Sequence, residues 1–252
     1  MCGRYFLKST PQKIRELFGY PEQPNMPARY NVAPTQPVPV VRLWEHHRQF
    51  ALMRWGLMPS WVKDPKNFTL LINARGETAA EKPAFKNALK RRRCLIPADG
   101  FYEWKSIGGR KQPYALVHNQ GPIAFAGLWE TWMGPSGEEV DTAAIVTAEA
   151  SRDIRHIHTR MPVVIQPKDF ETWLDCPNVD ARDVAPLMVP GPEGLFECVE
   201  VSSAVNKVAN DTPDLLTPIT DVQREAEAPV PKPAPVKRAA KAKGDSGQGS
   251  LF

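Results

Sequence analysis

The sequence predicts an α+β protein: a single domain with a largely antiparallel, barrel-like β core, flanked by short helices and followed by a disordered C-terminal tail. Three observations carry this. Apolar, β-branched and aromatic runs recur at short intervals with Gly and Pro between them, as at residues 94–98, 114–117, 123–132 and 142–147. Several are joined by hairpin-sized turns, of which Gly108-Gly109 is the clearest. Composition changes after Ile219: residues 221–249 are rich in Pro, Ala, Lys, Glu and Gly and hold almost no large apolar side chains. Such a stretch buries too little apolar surface to offset its ordering entropy. The expected division is therefore a folded domain over 1–220 and a tail over 221–252. At 252 residues, 42% hydrophobic and 24% charged, the chain can bury a substantial core.

Taken in order, residues 3–7 read as a short strand. Thr10 is placed to cap a helix that begins at Pro11, turns Ile14, Leu17 and Phe18 to one face, and stops at Gly19. A Pro-rich loop leads to Tyr30-Asn31-Val32-Ala33-Pro34-Thr35. Strands at 38–44 and 50–55 flank a polar turn with His46 and His47, which are read as solvent-facing. Trp55-Gly56-Leu57-Met58-Pro59-Ser60-Trp61 is a loop whose apolar side chains either contact a partner or fold back on the core. The apolar run 70–72 ends in Asn73-Ala74-Arg75-Gly76-Glu77-Thr78, a strand end leading into a helix over 78–92 that is interrupted at Pro83. That helix finishes on Lys90-Arg91-Arg92-Arg93, suited equally to the helix dipole or to phosphates. After the strand at 94–98 and the segment Asp99-Gly100-Phe101-Tyr102-Glu103-Trp104-Lys105, the remaining strands fall at 163–165 and 196–201. Short helices are expected at 151–157, 167–174 and 181–187.

The net charge of +4 permits a polyanionic partner without demanding one. Cys2, Cys94, Cys176 and Cys198 lie far apart, with no C-x-x-C pair and no matching His spacing. A reduced, cytoplasmic setting follows, with no metal and no cofactor. Cys94, Cys176 and Cys198 read as small core residues. There is no apolar run long enough to span a bilayer and no basic segment followed by an apolar stretch, so neither membrane contact nor a signal peptide is expected.

The start, Met1-Cys2-Gly3-Arg4, stands apart. With Met1 removed, Cys2 carries a thiol and an α-amine on adjacent carbons. Reference pKa values of about 8.5 and about 7.7–8.0 leave both partly reactive near neutrality. A 1,2-aminothiol traps an aldehyde as an imine, which the thiol then closes to a thiazolidine in an intramolecular step. Taken singly, Asn31, Asn73, Glu103 and His158 are ordinary strand-end or turn residues.

Together, the segments MCGR, YNVAPT, WGLMPSW, NARGET, DGFYEWK and IHTRMP, in this order, resemble the SOS-response-associated peptidase (SRAP) family of abasic-site processing proteins. The resemblance runs from Met1 to about Ile219. One departure is Thr159, where many relatives carry an acidic or amide residue; His158 and Arg160 on either side are kept. The resemblance implies covalent capture of abasic sites in single-stranded DNA, through a thiazolidine between Cys2 and the ring-opened sugar aldehyde, protecting the lesion during replication. It implies that Glu103 moves protons, that His158 promotes sugar opening or holds the sugar oxygen, and that Asn73 bonds the Cys2 backbone or the sugar. Arg4, Arg75 and Arg160 are suited to phosphates. Trp61 and Phe85 are the candidates to wedge against bases, while Trp104, Trp129 and Trp132 are read as core. Self-removal of Met1 and reversal of the adduct are both open. The protein is expected to act as a monomer.

Two other readings remain at this point. Class II glutamine amidotransferases also begin Met-Cys-Gly, but an amidohydrolase has no use for phosphate-binding arginines. A non-covalent single-stranded DNA-binding module would be indifferent to Cys2. In the tail, Gln248, Leu251 and Phe252 resemble a peptide that docks on the replication sliding clamp.

Overall fold

The computed structural model describes residues 2–226. Its elements run β1 (Tyr5–Leu7), α1 (Pro11–Phe18), β2 (Arg29–Val32), β3 (Pro37–Trp44), β4 (His47–Trp55), β5 (Asn73–Arg75), α2 (Gly76–Ala79), α3 (Lys86–Arg91), β6 (Arg93–Ala98), β7 (Gly100–Ile107), β8 (Arg110–Val117), β9 (Ile123–Met133), β10 (Glu139–Glu149), β11 (Arg160–Pro162), β12 (Val164–Ile165), α4 (Phe170–Leu174), β13 (Glu197–Glu200) and α5 (Asp221–Ala226). The expected barrel-like α+β core is present. Strand β10 pairs with both β9 and β4, β4 with β3, β3 with β6, and β6 with β9, so these strands close on themselves. All of these pairings are antiparallel except β10–β4. Closure leaves the ring without an open edge.

A second sheet, ordered β13-β8-β7-β1-β2, packs on the barrel. Its strands alternate between two faces, as the two-residue period requires. Tyr5 and Phe101 point to the barrel and meet Phe125 edge-on at 6.2 and 6.1 Å; Tyr5 also meets Trp55 at 5.4 Å. Phe6 and Tyr102 point the other way, into a smaller cluster with Ala115, Val205 and Leu215. Gly100 sits where the sheet is tightest, since a Cβ there would lie 2.2 Å from the Leu116 carbonyl oxygen. Beside it, buried Asp99 accepts the backbone N–H groups of Lys8 and Ser9, both at 2.7 Å, and so turns the chain from β1 into α1.

Helix α1 follows its sequence signals. Thr10 Oγ1 accepts from Lys13 N–H at 3.4 Å, Pro11 opens the helix, and Gly19 closes it at φ 69°. Other segments depart from expectation. The helix over 78–92 is interrupted around Pro83 as expected, but its halves are shorter and displaced, α2 starting earlier at Gly76 and α3 only at Lys86. The helix expected at 151–157 is a series of turns. Such a short segment cannot offset helix nucleation, and burial of Ile154 and Ile157 fixes it instead. Of 181–187, only Ala185–Leu187 is helical, as a single 3₁₀ turn. Arg29–Val32, to which no element is assigned from sequence, pairs with β1 as a strand. The ordered chain also continues past residue 220: α5 places Arg224 beside Glu200, with Nε to Oε1 at 3.3 Å. The clamp-like residues Gln248, Leu251 and Phe252 lie outside the described residues.

The motif YNVAPT proves architectural. Asn31 is fully buried; its Nδ2 donates to the Val205, Lys207 and Asn210 carbonyls, and its Oδ1 accepts from Arg4 Nη1 at 2.7 Å. Asp211 accepts the Tyr30 and Asn31 N–H groups and pairs with Arg29. This network anchors the segment that carries Cys2.

Candidate active site

Four residues distant in sequence meet where the two sheets converge. On one, β1 pairs with β7 through Tyr5↔Phe101 and Phe6↔Gly100. The Tyr102 N–H donates to the Arg4 carbonyl at 2.9 Å, so residues 2–4 continue alongside β7 toward Glu103. On the other, β5 and β11 both attach to the end of β10, where Thr147 is paired with Arg75 on one side and Pro162 on the other. That places Asn73 and His158 at the same end.

The contacts are specific. Asn73 Nδ2 donates to the Cys2 carbonyl at 2.8 Å. Glu103 is 3% exposed, and its Oε1 lies 3.7 Å from His158 Nδ1. Cys2 is fully buried, with Sγ 3.8 Å from the Arg4 carbonyl. Burial raises the Glu103 pKa, an effect partly opposed by His158. Burial, reinforced by the charge of Glu103, pushes the Cys2 thiol well above its usual range. In this environment Cys2 holds its proton, and a carboxylate stands near enough to take part in moving it.

The three candidate phosphate ligands differ. Arg75 is exposed, and its guanidinium has no hydrogen-bond or ion-pair partner among the described residues. Arg4 is turned inward onto Asn31 and the Val205 carbonyl at 2.8 Å. Arg160 forks onto both Glu77 oxygens, at 2.6 and 2.9 Å, and reaches the Thr147 carbonyl at 2.7 Å. The Glu77 pKa is accordingly lowered, chiefly by hydrogen bonding from Arg160. Without DNA, the guanidiniums of Arg4 and Arg160 thus hold protein groups, while that of Arg75 does not.

The two aromatic candidates separate as well. Trp61 is 58% exposed and stands edge-on to Phe68 at 5.7 Å. The rest of its loop folds back, with Trp55, Leu57 and Met58 buried. Phe85 belongs to the core, packed ahead of α3, and presents far less surface than Trp61. Trp129 and Trp132 are buried as expected, while Trp104 is half-buried and donates Nε1–H to Asn206 at 2.8 Å. Cys94 is buried; Cys176 and Cys198 are half-buried. The substitutions should divide accordingly. Trp61→Ala is expected to weaken binding of an undamaged single strand by about 1–3 kcal/mol, the worth of one stacked base. Phe85→Ala is expected to cost about 3–5 kcal/mol of folding stability and little affinity per folded molecule. Titration by fluorescence anisotropy and thermal unfolding of both variants would check this.

The fold and site define a barrel protein with a buried cysteine next to the chain start, held by an amide and flanked by a carboxylate and an imidazole. The chain belongs to the SOS response associated peptidase (SRAP) family, whose description matches residues 1–208. It is 38% identical to the abasic site processing protein YoqW of Bacillus subtilis, over 86% of this chain and 99% of that one. It is 32% identical to the abasic site processing protein YedK of Escherichia coli, over 87% and 100%. Among solved structures, a protein from Bacteroides thetaiotaomicron superposes with a TM-score of 0.78 at 24% identity, covering 87% of this chain and all of the other.

Proposed function

We propose that this protein processes abasic sites in DNA by capturing the exposed sugar aldehyde on Cys2 after removal of Met1. The observation that carries the reading is the convergence of Asn73, Glu103 and His158 on the segment that begins at Cys2. The family membership and the names of the relatives supply the substrate class.

The chemistry follows from the groups present. The freed Cys2 amine adds to C1′ of the ring-opened deoxyribose, and loss of one water gives an imine. The imine nitrogen keeps its proton, and Cys2 Sγ bonds to the imine carbon as the thiol proton passes to the Glu103 carboxylate, closing a thiazolidine. One water is lost overall. Glu103, with its pKa raised by burial, can protonate the departing hydroxyl and then accept the thiol proton. Asn73 fixes the Cys2 carbonyl and thereby the direction of both nucleophiles. Arg75 is the open guanidinium beside this cluster and is suited to a neighbouring phosphate. Trp61 offers a face on which an unpaired base can stack.

The test is a denaturing gel of untagged protein with a single-stranded oligonucleotide containing one abasic site, with mass spectrometry of the product. The expected result is a shifted band without borohydride, of mass equal to Met1-less protein plus DNA minus one water. Absence of any adduct from protein with a verified free Cys2 would overturn the reading.

A further inference from the structure

The pairing of Glu77 with Arg160 lies outside the reacting groups, yet it leads directly to one of them. Arg160 donates its backbone N–H to His158 Nδ1 at 3.0 Å. A backbone N–H can only donate, so the neutral imidazole carries its proton on Nε2. The Arg160 carbonyl lies 3.2 Å from the same Nδ1. The N–H contact is the shorter of the two, so the Arg160 backbone favours a bare Nδ1 and a proton on Nε2. This preference holds only if the Arg160 backbone is held still.

Several contacts hold it. Arg160 pairs with Glu149 in the β10–β11 ladder, and the Ala150 N–H donates to the Thr159 carbonyl at 2.9 Å. Its guanidinium reaches back across β10 to the Thr147 carbonyl and forks onto Glu77 in α2. Residue 76, which opens α2, is glycine where the helix packs closely on Met188: a Cβ there would lie 3.0 Å from Met188 Cβ. The Glu77 side chain is 46% exposed and that of Arg160 only 13%, so the fork closes the outer side of a mostly buried arginine.

We propose that Glu77 is a positioning residue for the aldehyde-capture reaction: by clamping Arg160 it fixes the tautomer and orientation of His158. This rests on the proposed function above. It explains why the acidic residue of NARGET stands two places after Arg75, the arginine left open. Glu77 holds the imidazole in place, and Arg75 meets the strand.

The experiment compares wild type, Glu77→Ala and Glu77→Gln in two measurements on untagged full-length protein. The first is the single-turnover rate of adduct formation on an abasic oligonucleotide, alongside affinity for the undamaged strand. Loss of a comparable orienting contact behind a functional imidazole typically costs about 10–100-fold, and that loss is expected in the Glu77→Ala rate. Affinity for the undamaged strand should be unchanged, and Glu77→Gln, which keeps one acceptor for Arg160, should recover part of the rate. The second is the pair of imidazole nitrogen chemical shifts of His158 in the free protein, which report the tautomer without any reaction. Wild type should show the Nε2–H form, and Glu77→Ala a mixture. A wild-type adduct rate in Glu77→Ala, or unchanged His158 shifts in both variants, would overturn the proposal. If wild type itself forms no adduct, the proposed function fails, and the nitrogen shifts still decide whether Glu77 sets the tautomer.

Discussion

Cys2→Ala is expected to abolish the denaturation-resistant adduct with abasic DNA while leaving affinity for the undamaged single strand in place. No other described side chain can replace Cys2, because only an N-terminal cysteine offers an amine and a thiol on adjacent carbons. Removing the thiol leaves an amine that can form an imine, but that product hydrolyses and would be trapped only by added borohydride. Cys2→Ser is expected to behave like Cys2→Ala in the absence of borohydride, since the oxygen closes its ring less favourably. The prediction also discriminates between functions. An adduct that survives Cys2→Ala would place the nucleophile elsewhere, and lesion handling that needs no adduct and is indifferent to Cys2→Ala would leave the chain as a non-covalent binding module. Glutamine hydrolysis that disappears in Cys2→Ala would make it an amidohydrolase. The same logic makes an N-terminal tag inhibitory, since Cys2 would become an internal residue.

Burial adds a constraint to this chemistry. Cys2 has no solvent exposure, and its thiol is pushed upward by burial before any other effect. A buried, protonated thiol resists oxidation and metal capture, both of which act on the thiolate. The cost is that its proton must be moved locally when the ring closes. This explains why a carboxylate that is itself buried stands nearby: it is the group whose charge and proton both matter at that step.

How much of this was legible in the sequence depended on whether a residue's role was local. Thr10, Pro11 and Gly19 bound α1 because capping is decided within a few residues. The Gly108-Gly109 hairpin was legible for the same reason, and β7 and β8 pair through Ile107↔Arg110. The barrel-like core was legible as well, but the pair that closes it was not, because β10–β4 is a parallel contact between strands far apart in the chain. Nor was the turn structure of 151–157, where tertiary burial of Ile154 and Ile157 overrides a helical pattern. The motifs marked the right segments without separating roles within them. In DGFYEW, Asp99 turns the chain, Gly100 permits close approach, Phe101 and Tyr102 fill opposite faces, and Glu103 alone enters the site. Arg4 and Arg160 looked like Arg75 in sequence. Only packing distinguishes an arginine spent on Asn31 or Glu77 from one left open. Asp211, which organises Tyr30 and Asn31, lay outside every motif; a lone acidic residue gives no signal until its backbone partners are known.

Glu103→Gln should separate catalysis from stability, moving them in opposite directions. Glutamine keeps the shape and hydrogen-bonding capacity of the side chain but cannot exchange a proton. Adduct formation is expected to slow by about 10²–10⁴-fold, the usual worth of a positioned acid–base group. The stability effect has a definite sign. Burial raises the folded-state pKa of Glu103 above its unfolded value. Its contribution therefore favours the folded protein fully below the ordinary carboxylate pKa of about 4.3, and is lost as pH rises through the raised value. At neutral pH wild type carries the cost of a buried carboxylate, which His158 offsets only in part; the amide variant does not. Glu103→Gln should thus melt above wild type at pH 7, by about 2–4 °C for each kcal/mol regained in a chain of this size. The difference should vanish as pH falls below about 4, where wild-type Glu103 is protonated in both states. Equal melting temperatures at every pH would mean that the carboxylate is fully compensated by its partners. A slow but thermally robust variant would identify Glu103 as a residue kept for its proton despite its cost to the fold.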